Sequence, residues 1–218
     1  MRFDARLYLV TGPVASGRTL EEVVEAALAG GVTAVQLRDK AASTAELIAR
    51  ARDLLAIARP YGVPVFVNDD VDAAVRSGAD GVHVGVSDAA ASTARTALGT
   101  GRLVGWSVND IAQLGHDAEI LASDYLAASP VWATPSKPDA LAPFGLDGVT
   151  RLREPMPDAL PLVAIGGIDE TNASQVIDAG ADGVAVVSAI CAAADPHDAA
   201  VRLREAVDHA LAARQVAR

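Results

Sequence analysis

A closed (β/α)8 barrel is the fold this sequence predicts, and three observations predict it. Eight short runs rich in β-branched residues alternate along the 218 residues with longer amphipathic stretches, the pattern of repeated βα units with parallel strands. The phrase GADGVHV at 78–84 returns as GADGVAV at 180–186, which is 102 residues and four βα units further on, half of an eightfold array. The chain is 51% hydrophobic and has no Pro/Gly/Ser-rich linker, so it reads as one domain with a substantial core. The GAD-G words alone also read as glycine closing a helix before the next strand. Joined to eight strand-type runs, they favour a closed barrel over an open sheet.

The elements follow in order. LYLVT (7–11) is the first strand, and TLEEVVEAALAG (19–30) supplies the first helix. AVQLR (34–38) precedes STAELIARARDLLAIA (43–58), where Ser43 stands three residues before Glu46 as an N-terminal capping box. PVFVN (64–68) leads to a helix that Asp70 or Asp72 would cap ahead of AAVRSGA. GVHVG (81–85), LVGWSV (103–108) and YLAAS (125–129) are strands four to six. LVAIG (162–166) and TNASQVIDAG (171–180) form the seventh unit, and GVAVVS (183–188) is the eighth strand. The last helix, PHDAAVRLREAVDHALAAR (196–214), starts with Pro196 after Asp195 and leaves a short tail from about 214 beyond a single domain of 1–218.

Composition narrows the function. A net charge of -10 and a pI near 4.7 argue against a general nucleic-acid or anionic-membrane surface, which needs clustered Lys and Arg. MRFDARLYLV lacks the order of a secretory signal, and no apolar stretch is long enough to span a bilayer, so the expected compartment is the cytoplasm. The single Cys191 allows no internal disulfide and sits among apolar neighbours as a buried thiol.

Barrels of this kind carry their chemistry at the C-terminal strand ends. In QLRDK the alternation puts Gln36, Arg38 and Lys40 on one face and Leu37 and Asp39 on the other. Two cations converging at a mouth need anions, either acidic side chains or a bound phosphate. PVFVN ends in Asn68 and Asp69, and Asp88 follows GVHVG. These carboxylates either cap helices or face one oxygen-loving cation such as Mg²⁺. His83 reads as a core or pocket-wall residue, whereas His116, His197 and His209 read as solvated. Ser107 and Asn109 end the fifth strand. The stretch at 129–145 offers Thr134, Ser136 and Lys137 among prolines, and a loop of that length in a compact barrel is usually functional. IGGI (165–168) and VVSAI (186–190) complete the mouth, where backbone N–H groups commonly hold phosphate. Two basic clusters, a phosphate cradle and a carboxylate pair suggest two phosphorylated substrates and one divalent metal.

Taken together, YLVTG, QLRDK, ND, the Asp after GVHVG, the Ser after strand five, TPSK, IGGI and VVSAI resemble the thiamine-phosphate synthase family in kind and order, over nearly the whole chain. The resemblance implies an alkyl transferase that joins hydroxymethylpyrimidine diphosphate to hydroxyethylthiazole phosphate and releases pyrophosphate. By the same resemblance, Gln36, Arg38, Lys40, Asn68, Ser107 and Lys137 serve the pyrimidine diphosphate, with Arg38, Lys40, Lys137 and Ser107 as the catalytic set. Thr134, Ser136, Gly167, Val187 and Ser188 hold the thiazole phosphate, and Asp69 and Asp88 hold Mg²⁺. A homo-oligomer is compatible with the resemblance, which does not fix assembly. The chain departs from the pattern at Val86, where the family commonly has Gln, at Ser136 for the second Thr, and at SPVWAT for a GPIFPT-like run. The neighbouring alternatives are a thiazole tautomerase on the same scaffold and a noncatalytic phosphate-binding barrel.

Overall fold

The computed structural model describes residues 3–15, 17–134 and 142–216. It contains β1 (Leu7–Val10), α1 (Leu20–Ala29), β2 (Ala34–Leu37), α2 (Thr44–Ala58), β3 (Val65–Asn68), α3 (Val71–Ser77), β4 (Gly81–Val84), α4 (Ala91–Leu98) and β5 (Leu103–Val108). The second half holds α5 (Asp117–Ala122), β6 (Tyr125–Ala128), α6 (Gly145–Arg153), β7 (Leu162–Ile165), α7 (Ala173–Asp178), β8 (Gly183–Val186), the one-turn α8 (Ser188–Cys191) and α9 (Pro196–Val216). All eight strands pair parallel with their sequence neighbours, and β1 closes on β8. The predicted barrel is thus the observed one. The last helix runs to Val216, past the expected boundary at 214.

Strand alternation separates two cores. Leu7, Leu9, Val35, Leu37, Val65 and Val67 face outward into the shell beneath the helices. Tyr8, Val10, Ala34, Phe66, Tyr125, Ala127, Val163 and Ala185 fill the barrel's interior. Phe3 closes that interior, with its ring 4.3 Å from Tyr125 in a stacked pair and 5.8 Å from Phe66 edge-on. A Cβ on Gly105 would lie 2.1 Å from the Tyr125 ring, so the aromatic plug depends on glycine there. This plug is the floor on which the site stands.

The GAD-G echo has a structural reason that extends beyond the repeated words. Asp80 donates its N–H to Val65 O and accepts from Val65 N–H, and Asp182 does the same to Leu162. Asp124 clasps Val104 in this way, and Thr33 clasps Leu7 through its hydroxyl. A polar residue before each even-numbered strand therefore satisfies backbone groups of the first or second residue of the preceding odd one. The period is a quarter of the barrel rather than a half, and two of its four instances lie outside the repeated words.

Helix starts largely match the sequence. Thr19 with Glu22 and Ser43 with Glu46 form capping boxes on α1 and α2. On α3 the cap is Asp70, which accepts from Ala73 N–H at 2.8 Å and from Thr44 Oγ1 at 2.7 Å. Asp72 lies one step inside the helix and pairs with Arg76 at 2.9 Å. No helix among the described residues is long and apolar enough to cross a membrane.

Candidate active site

A cavity of about 560 Å³ opens at the C-terminal ends of the strands. Its wall includes Gln36 from β2 with Arg38 and Lys40 just past its end, Asn68 from β3 with Asp69 just past its end, His83 and Asp88 from β4 and its loop, and Ser107 from β5. Thr134, Gly167, Val187 and Ser188 line the other side. Eleven of the thirteen residues expected to bind substrate or metal therefore border one cavity. The other two, Ser136 and Lys137, lie outside the described residues.

The alternation in QLRDK works as expected. Leu37 is buried in the outer core and Asp39 binds Arg50 at 2.5 Å on the outside, which leaves Gln36, Arg38 and Lys40 to the cavity. Thr11 supports this edge: its Oγ1 accepts from Arg38 N–H at 2.8 Å and donates to Arg38 O at 3.2 Å.

At the end of β3 the chain makes a tight turn in which Asp70 N–H donates to Asn68 O at 2.7 Å. Asp69, at its centre, has φ 64, the only positive value among the described non-glycine residues. A three-residue turn of that hand is rare and strained. Asp69 N–H is fixed by His83 O at 2.8 Å, and Asp88 Oδ2 accepts from Gly85 N–H at 2.8 Å. The two carboxyl groups meet within hydrogen-bond reach, and Asp69 is pushed up to about 6, first by burial and then by the bond and charge of Asp88. Lys40 acts in the opposite direction on the same carboxyl. Two paired carboxylates with one raised toward neutrality are a donor set that fits a divalent cation. A second acidic group, Asp195, His197 and Asp198, is exposed and none of it lines the cavity. There Asp195 caps α9 by accepting from His197 N–H and Asp198 N–H.

The glycines of IGGI answer first to packing. Gly166 has φ 112 and a Cβ on it would sit 2.6 Å from Pro130 Cβ, while a Cβ on Gly167, at φ 68, would sit 2.9 Å from Trp132 Cβ. Val131 N–H and Trp132 N–H donate to Ile165 O and Gly166 O, and Phe144 N–H returns to Pro130 O. Both ends of the 129–145 stretch are thereby pinned to the mouth, with a cis peptide between Ser129 and Pro130. Val86 borders the cavity as an exposed side chain.

Tyr8 and Tyr125 on the cavity floor were not singled out by sequence reasoning. The inward phase of LYLVT, which points Tyr8 the same way as Val10, was the available signal. His83 is the pocket-wall residue expected, bonded through both ring nitrogens to Tyr125 and Ser107.

The model of the family described as thiamine monophosphate synthase matches residues 7–190. The chain belongs to that family. The thiamine-phosphate synthase of Albidiferax ferrireducens is 50% identical over 204 residues, 93% of this chain and 92% of that protein. That of Chloroflexus aurantiacus is 46% identical over 205 residues, covering 94% and 93%. The thiamine phosphate pyrophosphorylase from Pyrococcus furiosus superposes with a TM-score of 0.84 at 34% identity, covering 96% of this chain and 98% of that one. A 3-hexulose-6-phosphate synthase, with TM-score 0.64 and 22% identity over 92% of this chain and 99% of its own, shares the fold alone. Among the described residues, the synthase family's motifs thus each contribute to one cavity rather than lying scattered over the barrel.

Proposed function

We propose that this chain condenses 4-amino-2-methyl-5-(diphosphooxymethyl)pyrimidine with 4-methyl-5-(2-phosphooxyethyl)thiazole to give thiamine phosphate and pyrophosphate. The observation that carries the reading is the convergence of Arg38, Lys40, Asn68, Asp69, Asp88 and Ser107 on one cavity in a member of this family. A thiazole tautomerase would need the phosphate cradle but has no use for a diphosphate and metal set.

In this reading the bond from the pyrimidine methylene carbon to the diphosphate oxygen breaks, and its electron pair leaves with pyrophosphate. The thiazole nitrogen then gives its lone pair to that carbon, so the ring nitrogen becomes quaternary without any proton transfer. The site's task is accordingly charge stabilisation and alignment rather than strong base catalysis. Arg38 and Lys40, with Lys137, take up the growing negative charge of the leaving group, and Asn68 orients it. Gln36 and Ser107 position the pyrimidine. Thr134, Ser136 and the backbone at Gly167, Val187 and Ser188 place the thiazole phosphate.

Asp69 and Asp88 would hold one Mg²⁺. When bound, that ion neutralises diphosphate oxygens and lowers the cost of their departure.

The test is direct incubation of the protein with both substrates and Mg²⁺, followed by detection of thiamine phosphate as its fluorescent oxidation product and of pyrophosphate enzymatically. Equimolar appearance of both is expected. Tautomerisation of a thiazole phosphate without condensation would overturn the reading.

A further inference from the structure

The pairing of β5 with β6 ends in an exchange of partners. Ser129 N–H donates to Val108 O at 3.1 Å, continuing the ladder that sets Val108 beside Ala128. In a parallel ladder the next bond would run from Asp110 N–H to Ser129 O. Asp110 N–H donates instead to Gln113 Oε1 at 2.8 Å, and Ser129 O accepts from Asn109 Nδ2 at 2.8 Å. A side-chain amide stands in for the backbone.

Gln113 drives the exchange. Its Oε1 also accepts from Asn109 N–H at 2.7 Å, so both backbone amides that follow β5 are drawn into the turn at Ile111–Gly115 and away from β6. Gln113 is buried, and its Nε2 finds no partner among the described residues. A buried donor left unpaired is costly, yet the flipped amide would set that donor against two N–H groups. Backbone groups of known polarity therefore fix the orientation of both side-chain amides.

Ser129 is where the chain leaves the barrel. Pro130 has no N–H, so no ladder bond can follow it. Beyond it the segment hangs from the end of β7, with Val131 N–H on Ile165 O at 2.9 Å and Trp132 N–H on Gly166 O at 3.1 Å. The Asn109 amide is the last hold on the β5 side before Thr134 reaches the cavity. Ser107 stands earlier, within the regular ladder beside Ala127, and does not depend on that hold.

We propose that Asn109 and Gln113 are positioning residues that fix where the 129–134 segment leaves the barrel, and so set the Thr134 side of the cavity without acting on the side of Arg38 and Lys40. The ligand taken on that side rests on the synthase reading, in which it is the thiazole phosphate. The brace itself does not.

Three variants separate the parts. Asn109→Asp keeps the size of the side chain but turns an acceptor toward Ser129 O. Gln113→Met fills the place of the amide without its two acceptor bonds, whereas Gln113→Glu keeps an acceptor for both N–H groups. Hydrogen exchange followed by NMR on the whole unliganded protein tests the brace. The Val131 and Trp132 amides should exchange about tenfold faster in Asn109→Asp and Gln113→Met, and close to the wild-type rate in Gln113→Glu. Unchanged exchange in the first two overturns the proposal, and Gln113→Met carries the test if Asn109→Asp does not fold.

Steady-state kinetics give a readout that general destabilisation would not move. KM for the thiazole phosphate should rise about threefold or more in Asn109→Asp and Gln113→Met, with KM for the pyrimidine diphosphate within about twofold of wild type. Gln113→Glu should restore the wild-type ratio of the two. An equal rise in both KM values overturns the positioning role. So does an effect of Asn109→Asp that Gln113→Met fails to reproduce, because Asn109 borders the cavity and Gln113 is not among its lining residues. Wild-type protein that forms no thiamine phosphate, with exchange in the variants responding as expected, would count against the synthase reading while supporting the brace.

Discussion

The carboxyl groups of Asp69 and Asp88 meet across the ends of β3 and β4 closely enough to share a hydrogen bond. The backbone is strained to arrange this: Asp69 is held at φ 64 in a three-residue turn, a conformation that costs on the order of 1–3 kcal/mol for a residue with a side chain. Two carboxyl groups have been brought together at a place where the chain itself resists it, and once both ionise they repel each other. A cation held between them would relieve it.

A pH-dependent response to Mg²⁺ follows from that pair. The Asp69 carboxyl is raised from 3.8 to about 6, so the folded protein holds this proton more tightly than the unfolded chain does. Its stabilising contribution is complete below the unfolded value and is lost as pH rises through about 6. Thermal melting should show a larger Mg²⁺-induced rise in Tm at pH 7.5 than at pH 5. An equal rise at both values would contradict the pairing.

Asp69→Asn separates charge from conformation, because Asn tolerates positive φ. Turnover should fall by on the order of 100-fold or more. The metal-free variant should melt higher than the wild type at pH 7.5, and Mg²⁺ should no longer raise its Tm. Steady-state kinetics and melting curves on one preparation check all three.

Asp70 and Asp72 should behave differently despite their proximity. Asp70→Ala removes the α3 cap and the bond to Thr44 and should cost about 1–2 kcal/mol in urea unfolding. Asp72→Ala breaks an exposed pair with Arg76 and should cost under about 0.5 kcal/mol. A loss at Asp72 as large as that at Asp70 would mean the cap is misassigned.

Gly166→Ala puts a Cβ 2.6 Å from Pro130 Cβ on a backbone at φ 112. Stability should drop by about 1–3 kcal/mol. The segment that carries Thr134 shifts with Pro130, so KM for the thiazole phosphate should rise more than KM for the pyrimidine diphosphate.

Much of this site was legible in sequence because strand chemistry is local. QLRDK shows its cavity face by period alone, and Asn68, Asp69 and Asp88 announce themselves by ending apolar strands. Helix capping was legible too, although Asp70 and Asp72 could not be told apart: which carboxylate reaches Ala73 N–H depends on where the turn at Asp69 places the chain. The glycines of IGGI looked like room for a phosphate, but they are also demanded by Pro130 and Trp132, residues more than thirty positions away.

By itself the sequence determined the eight βα units, the two-faced strands and the residues at their C-terminal ends, because periodicity and capping act over a few residues along the chain. Tertiary structure alone decided that Asp69 meets Asp88, that a clasp recurs before every second strand, and that Tyr8, Tyr125, His83 and Ser107 form one chain. Those relations join residues up to 117 positions apart. They exist only once closure of the barrel sets the stagger of each strand against the next, and no local pattern carries that register.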